Sequence, residues 1–373
     1  MDSPDRGQGP AARGFAAVAA ALLGLLFAFS PLAERADLLI LDAQWNVLRR
    51  FDLRPAPDDI VVVGVDEKTL ERINEPRGLW HEPLGKALAR IAAARPRAIG
   101  LDLALPDRSY ESTRPGIDRA LLLGLAAARQ NGPFVAALSI DAHTRAARPI
   151  HAPFLAVLEE ERLAIDLLAR DADGVTRRFS LALPTEDGSF PTFAGRLCKA
   201  LSKRCGDGLL HYALGKPFGY VPLHQVLAAS EMSSLERVFK DRIVLIGETM
   251  PYSDRVAVPV DYAGWEPAGR EAPAIVVHAL ALRTAMLDAA PEEGSRPLTV
   301  LLVSFAALFM LIRDWRAVLA ATVAAGALLF VLSVYVLHAG IAMSLSAAYL
   351  VLLLAALSAV TFAASRRYVI RRR

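Results

Sequence analysis

Ile60-Val61-Val62-Val63-Gly64-Val65 is an uninterrupted, mostly β-branched run, and Asp66-Glu67-Lys68-Thr69-Leu70 follows it as the polar start of a helix. A strand that is apolar on both faces suits a sheet covered on both faces, as in parallel α/β folds. The pattern recurs along the chain. Residues 84–94 have helical periodicity and stop at Arg95-Pro96, and Ala98-Ile99-Gly100-Leu101-Asp102-Leu103 reads as a second strand. Residues 117–129 read as helix and 134–140 as strand, and Arg242-Ile243-Val244-Leu245-Ile246-Gly247 repeats the strand-then-glycine character of the first run. This alternation predicts βα units around a largely parallel sheet with covering helices, an α/β fold. A hairpin is expected within 171–181, where Asp173-Gly174 sits between strand-like residues, because a two-residue hairpin turn needs φ > 0 at both positions. The rival for Asp171-Ala172-Asp173-Gly174 is a calcium loop, which would need a third spaced acid and a closing Glu that are not there.

Four apolar runs bracket this segment, one at 14–33 and three at 297–312, 317–336 and 341–364. A stretch near 20 residues crosses a ~30 Å hydrocarbon core as a helix. Four crossings place residues 1–13 and 365–373 on one side and residues 34–296 on the other, followed by an all-α transmembrane bundle. Arginines decide which side is which. Arg6 and Arg13 precede the first run, Arg313 and Arg316 border the turn after the second, and Arg366, Arg367, Arg371, Arg372 and Arg373 form the tail. The remaining short loop, 337–340, has no Lys or Arg, so the basic segments fall on one face and are read as cytoplasmic. Residues 34–296 are then extracytoplasmic. A cleaved signal peptide is the rival reading of 14–33, but the stretch is longer than an h-region and Ser30-Pro31-Leu32-Ala33 is a poor cleavage site. The net charge of +3 comes largely from arginines bordering the runs. It fits anionic headgroups of a membrane lipid, not nucleic acid.

The ordered matches across the outer segment resemble the CHASE-2 family, the second class of cyclase/histidine-kinase-associated sensory extracellular domains of bacterial receptors. Residues 60–73, IVVVGVDEKTLERI, resemble the family's first strand and helix. Trp80 and 84–107, LGKALARIAAARPRAIGLDLALPD, resemble the next helix and the strand ending in Asp. Residues 173–178 resemble its DGVxR turn, and FKDRIVLIG at 239–247, with Asp254 and Pro259, its late strand and D…P loop. Ala274-Ile275-Val276-Val277-His278-Ala279 resembles the segment opening its last helix, and the one-plus-three order of apolar runs is also similar. There are two departures: Glu248-Thr249-Met250 replaces small residues, and Ala274 stands where the family usually has Gly. The resemblance implies a sensor in the bacterial inner (cell) membrane, multi-pass, with residues 34–296 on the periplasmic or extracellular side. Relatives usually continue into a kinase or nucleotide cyclase. A nine-residue basic tail leads to the expectation of an effector (kinase, cyclase or regulator) that is separate or missing.

Asp66 and Asp102 each end a strand, where ligands of open α/β sheets bind, and Asp66 is equally suited to cap a helix. With Trp80, Asp254 and His278 from the family segments they are the ligand-binding candidates. His278 reads either as a neutral buried residue or as a pH switch. The seven histidines never fall in metal-ligand spacing, and no nucleophile triad or phosphate loop occurs. No enzyme activity, cofactor or metal is therefore expected. The other readings are a membrane-tethered enzyme using Asp66 and Asp102, and a membrane scaffold. Cys198 and Cys205, the only cysteines, are candidates for a disulfide, provided their helix ends and folds back through 202–204. Residues 14–50 are free of strong breakers except Pro31, so a helix about 55 Å long, kinked there, could carry a shift between the two sides. Gly326, Ala320, Ala321, Ala324, Ala325, Ser346, Ala347 and Ala348 permit close packing within the bundle or with a second copy, a homodimer.

Overall fold

In the computed structural model, which describes residues 10–51, 53–141, 146–185, 188–266 and 269–371, the opening run is strand β1 (Ile60–Val65), preceded by helices α1 (Pro10–Ala28) and α2 (Pro31–Phe51). The chain then runs α3 (Glu67–Ile73), α4 (His81–Ala93), β2 (Ala98–Asp102), α5 (Ile117–Gln130), β3 (Phe134–Leu138), α6 (Ala152–Leu158) and β4 (Leu163–Ile165). It continues through α7 (Phe193–Ala200), β5 (Tyr220–Pro222), α8 (Leu223–Ala228), α9 (Met232–Phe239), β6 (Ile243–Glu248) and α10 (Ala274–Met286). Helices α11 (Arg296–Ala307), α12 (Trp315–His338) and α13 (Ser346–Arg371) close it. These elements divide into two compact units. Leu53–Ala290 is one, and the flanking helices form the other.

The six strands form one sheet in the order β4-β3-β2-β6-β1-β5, parallel throughout. Alternate residues serve opposite faces. Val63, Val65, Ile99, Leu101, Phe134, Ala136, Val244 and Ile246 pack with Leu84, Leu88, Leu121, Leu125, Leu235 and Phe239 of α4, α5 and α9 in one core. Helices α7 and α10 cover the sheet's other side, which is thinned by glycines. A Cβ at Gly100 would lie 2.8 Å from the Phe193 ring, and one at Gly247 2.7 Å from Ile275. That approach buries α10 almost completely, which is why it is apolar nearly all round.

The hairpin expected at Asp173-Gly174 does not form. Only Gly174 has φ > 0 there (+83°), so a turn needing two such residues cannot close. A tight turn returns the Asp171 N–H to the Val175 carbonyl at 2.9 Å. The following strand pairs elsewhere, Arg178–Phe179 with Gly208–Leu209. The competing interaction is Arg177, only 1% exposed, which reaches back to both Asp171 and Asp173. The hairpin that does form pairs Ala182–Thr185 with Gly188–Pro191.

Helix α7 ends at Ala200, Ser202 adopts φ +54°, and the Lys203 N–H returns to the Cys198 carbonyl at 2.9 Å. This fold-back brings the Cys198 and Cys205 Cα atoms to 6.4 Å, and the two are joined in a disulfide. Closing so short a loop constrains the unfolded chain by roughly 2–3 kcal/mol. Dithiothreitol is therefore expected to lower the thermal midpoint of the parent and leave a Cys198→Ser/Cys205→Ser variant unmoved. An equal shift in both would contradict it.

In the flanking unit, α1 stops before Ser30, and Pro31, with no N–H to give, opens a second helix. Ala11–Ala28, Trp315–His338 and Ser346–Ser365 are long and apolar enough to cross a membrane. The run at 297–312 forms α11 and a 3-10 turn at Leu308–Leu311, together about 26 Å long. Ala20, Val303, Ala306, Leu329, Ala347 and Val351 of α1, α11, α12 and α13 share one core, while Leu22, Leu26, Leu328, Val331 and Leu353 point outward. The run at 341–364 begins its helix later than expected. Ile341–Ala342 pairs with Glu292–Glu293, and the free N–H groups of Leu345 and Ser346 donate to the Asp37 carboxylate at 2.8 Å each, an N-cap supplied from α2. The Gln44 amide of α2 donates to the Ser333 hydroxyl of α12 at 2.7 Å. Thus residues 34–51, expected within the outer segment, fold with the flanking helices.

Candidate functional site

All six strands point the same way, so their C-terminal ends share one edge of the sheet. Register sets Gly247 beside Asp102 and Glu248 beside Val65. Strands β2, β6 and β4 end at Asp102, Glu248 and just before Asp166. Asp254 arrives from the loop after β6, in the left-handed region at φ +51°, where its carbonyl accepts from the Ala274 N–H that opens α10. One turn into α10, His278 Nε2 lies 3.1 Å from the Asp166 carbonyl and 3.8 Å from Asp102 Oδ2.

This edge concentrates negative charge. Asp102 is 6% exposed, and among the described residues its Oδ2 has no hydrogen-bond partner. Burial, and then the charges of Asp254, Asp166 and Glu248, push its pKa well above the carboxylate range. Asp254 keeps an exposed surface, yet desolvation of its carboxyl and the Glu248 and Asp166 charges raise it to about 6. Burial also raises Asp166, against a 2.6 Å bond from the Ser139 hydroxyl. His278 moves the other way. Burial lowers it to about 4, so at neutral pH the ring is uncharged. Positive charge stands at the margin, where Arg77 bonds Glu248 and Ser253 takes the other Glu248 oxygen.

Asp102, Asp254 and His278 are thus brought together, and two residues join them that sequence reasoning did not include, Asp166 and Glu248. Asp166 could have been found, because Ala164-Ile165-Asp166 repeats the strand-then-acid pattern of Val65-Asp66. Its strand is only three residues long, too short for the pattern to stand out. Asp66 and Trp80 have other employment. Asp66 caps α3, accepting from the Thr69 N–H at 2.8 Å and its hydroxyl at 2.6 Å, with His224 and Tyr220 nearby. Burial would raise it, but those partners hold it below its ordinary value. Trp80 is buried in the core, its indole donating to the Glu75 carbonyl at 2.9 Å and its ring lying under Arg77. Among the described residues Asp66 and Asp102 share no hydrogen-bond or ion-pair partner, so the paired-acid reading draws no support from their contacts. Among the described residues no His, Cys, Asp and Glu group is arranged to hold a metal ion. The edge is instead suited to taking up protons or a positively charged group.

A raised carboxyl pKa means that the native state keeps a proton which the unfolded chain has released. Its contribution to stability therefore falls as pH climbs from the ordinary carboxylate range through about 6, the Asp254 value. His278 has the opposite sign, adding stability from about 4 up to its ordinary 6.5. Asp102→Asn separates the two. The variant should match the parent below about pH 4 and gain on it steadily toward neutrality in thermal unfolding. A gap that stays flat or narrows would contradict the assignment.

Among curated proteins and solved structures nothing matches this chain. A family model does: the CHASE2 domain model matches residues 17–324, taking in most of α1, all of β1 through α11 and the first part of α12. A CHASE2 domain is a sensory domain, and three helices here can cross a membrane. The protein is a membrane protein with a sensory domain, and it belongs to the CHASE2 family.

Proposed function

We propose that this protein is a bacterial inner-membrane sensor that holds its α/β unit in the periplasmic or extracellular space and relays a signal detected there to a cytoplasmic effector. The observation that carries the reading is the order of the chain. The CHASE2 match over 17–324 covers the α/β unit, which stands in the chain between one apolar run and a group of three, and the positive-inside bias of Arg13, Arg313, Arg316 and Arg366 supports putting those short segments on the cytoplasmic face. In this reading α11 and its 3-10 turn make a short fourth crossing, and both chain ends lie in the cytoplasm.

Asp102, Asp254 and His278, with Asp166 and Glu248, form the input end. Helix α2 is the relay. It leads directly into the α/β unit at Leu53 and is fastened to α12 and α13 through Gln44 and Asp37. A shift of α2 would reach helices that end at the cytoplasmic arginines. The effector is a kinase, cyclase or regulator, and a second copy of the chain is a further partner that the small-residue faces admit. The tethered-enzyme alternative is disfavoured by the separate partners of Asp66 and Asp102.

A photo-crosslinking residue at Arg313, in the turn before α12, tests the relay in native membranes. The expected adduct contains a kinase, a cyclase or a regulator of one. Adducts containing none of these would overturn the receptor reading.

A further inference from the structure

The α/β unit has a cavity of about 740 Å³ at the opposite end of the sheet from the acidic edge, where β1 and β5 begin and the chain enters β6. Its volume lies in the range of small-molecule pockets. Four cations line it: Arg54 from the chain before β1, Lys216 from the loop before β5, Arg242 just before β6, and Arg283 from α10. One acid, Asp58, faces them. Phe218, Tyr220 and Val221 supply an apolar wall.

Arg283 gives the cavity its meaning. It is 4% exposed, and its guanidinium stacks 3.7 Å from the Phe218 ring centroid. Nη1 donates to the carbonyls of Leu214 and Lys216 at 3.2 and 3.0 Å. Gly215, at φ +70°, lets this loop pass, since a Cβ there would sit 2.8 Å from Nη1. Every one of these partners is neutral. Among the described residues, none of the four cations has a carboxylate at ion-pair distance. Tyr262 and the more distant Asp58 and Asp59 only partly offset the burial, which still lowers the Arg283 pKa. A buried cation held in place by dipoles and an aromatic face, with its nearest carboxylates beyond ion-pair distance, is costly to the apo fold. An incoming anion would relieve that cost, and three more cations stand around the same space.

We propose that this cavity binds an organic anion, with its acidic group set against Arg283, Arg54 and Arg242 and its apolar body against Phe218, Tyr220 and Val221. Soluble organic acids and anionic phospholipids share this chemistry. The inference goes beyond the sensor reading and does not depend on it, since binding can be measured without any signalling output.

The test uses the full chain in nanodiscs of phosphatidylcholine, titrated calorimetrically with 2-naphthoate and with its neutral counterpart 2-naphthamide. Saturable one-site binding of the naphthoate is expected, at least tenfold tighter than the amide, because only the acid meets the cations. An Arg54→Gln/Arg242→Gln variant should lose at least tenfold in naphthoate affinity with its thermal midpoint unchanged. These two side chains are only half-buried, and Arg283 is left in place to preserve the fold. Repeating the titration in discs containing phosphatidylglycerol distinguishes the sources. Loss of naphthoate binding there assigns the cavity to a lipid headgroup, and unchanged binding assigns it to a soluble acid. Absence of saturable naphthoate binding, equal binding of acid and amide, or undiminished binding by the double variant would overturn the proposal.

Discussion

Gly124→Leu is expected to cost on the order of 3 kcal/mol or more, at the upper end of overpacking effects. Helices α4 and α5 cross with their backbones touching. A Cβ at Gly124 would lie 2.3 Å from the Gly85 carbonyl oxygen and 2.4 Å from its Cα, and a Cβ at Gly85 would lie 2.2 Å from the Ala120 oxygen. These are backbone atoms, so no rotamer change relieves the overlap. The helices must separate, and the core that Leu88, Leu121 and Leu125 share with the sheet opens with them. Gly116→Ala is the internal control. A Cβ there meets nothing within 4 Å, though φ is +85°, so its cost is only the backbone penalty, about 1 kcal/mol. For a domain of this size 3 kcal/mol moves the thermal midpoint by roughly 6–12 °C. A shift for Gly124→Leu no larger than that of Gly116→Ala would contradict the close crossing.

Arg177→Met is expected to cost about 3 kcal/mol, the lower end for breaking a buried ion pair. The guanidinium spans two acids, with Nη1 at 3.1 Å from Asp171 Oδ2 and 2.9 Å from Asp173 Oδ1, and Nη2 at 2.8 Å from Asp173 Oδ2. The cost lies at the lower end because the Asp173 side chain is 32% exposed and water softens its loss. The bond from Arg177 outweighs partial burial and lowers the Asp173 pKa. A lowered folded-state pKa gives stability that is present above the unfolded value and lost as pH falls through the folded one. The gap between parent and variant should therefore narrow in acid. Adding Asp173→Asn to Arg177→Met should recover part of the loss, because the stranded charge is gone. Equal losses at pH 3 and pH 7 would contradict this account of the turn.

These two sites mark where sequence reading stops. The strands β1, β2, β3 and β6 were legible because each is apolar on both faces, a pattern that only a doubly covered sheet requires. Helix α10 was legible from its family segment, although its own periodicity is weak because it is buried all round. The contact at Gly85 and Gly124 was not legible. A glycine within a helix says that something comes close and cannot say what. Asp173-Gly174 was misread because the local turn signal was strong, whereas the interaction that won, Arg177 folding back on two acids, depends on tertiary burial. The candidate site shows the same division. Asp102, Asp254 and His278 were found from strand ends and family segments. Asp166 lay behind a strand too short to register, and Glu248 entered only as an oddity after a glycine. Asp66 was open to both readings, and its bonds to Thr69 make it a cap.

Impermeant-maleimide labelling of spheroplasts reports whether the sensory unit is extracytoplasmic and carried by a membrane bundle. Cys198 and Cys205 are joined, so each single-cysteine variant reports on its own position. Ser233→Cys, exposed at the start of α9, and Ser365→Cys, exposed toward the end of α13, are compared before and after permeabilisation. Ser233→Cys is expected to label in intact spheroplasts and Ser365→Cys only once the membrane is opened. Labelling of Ser365→Cys in intact spheroplasts, or protection of Ser233→Cys, would contradict it.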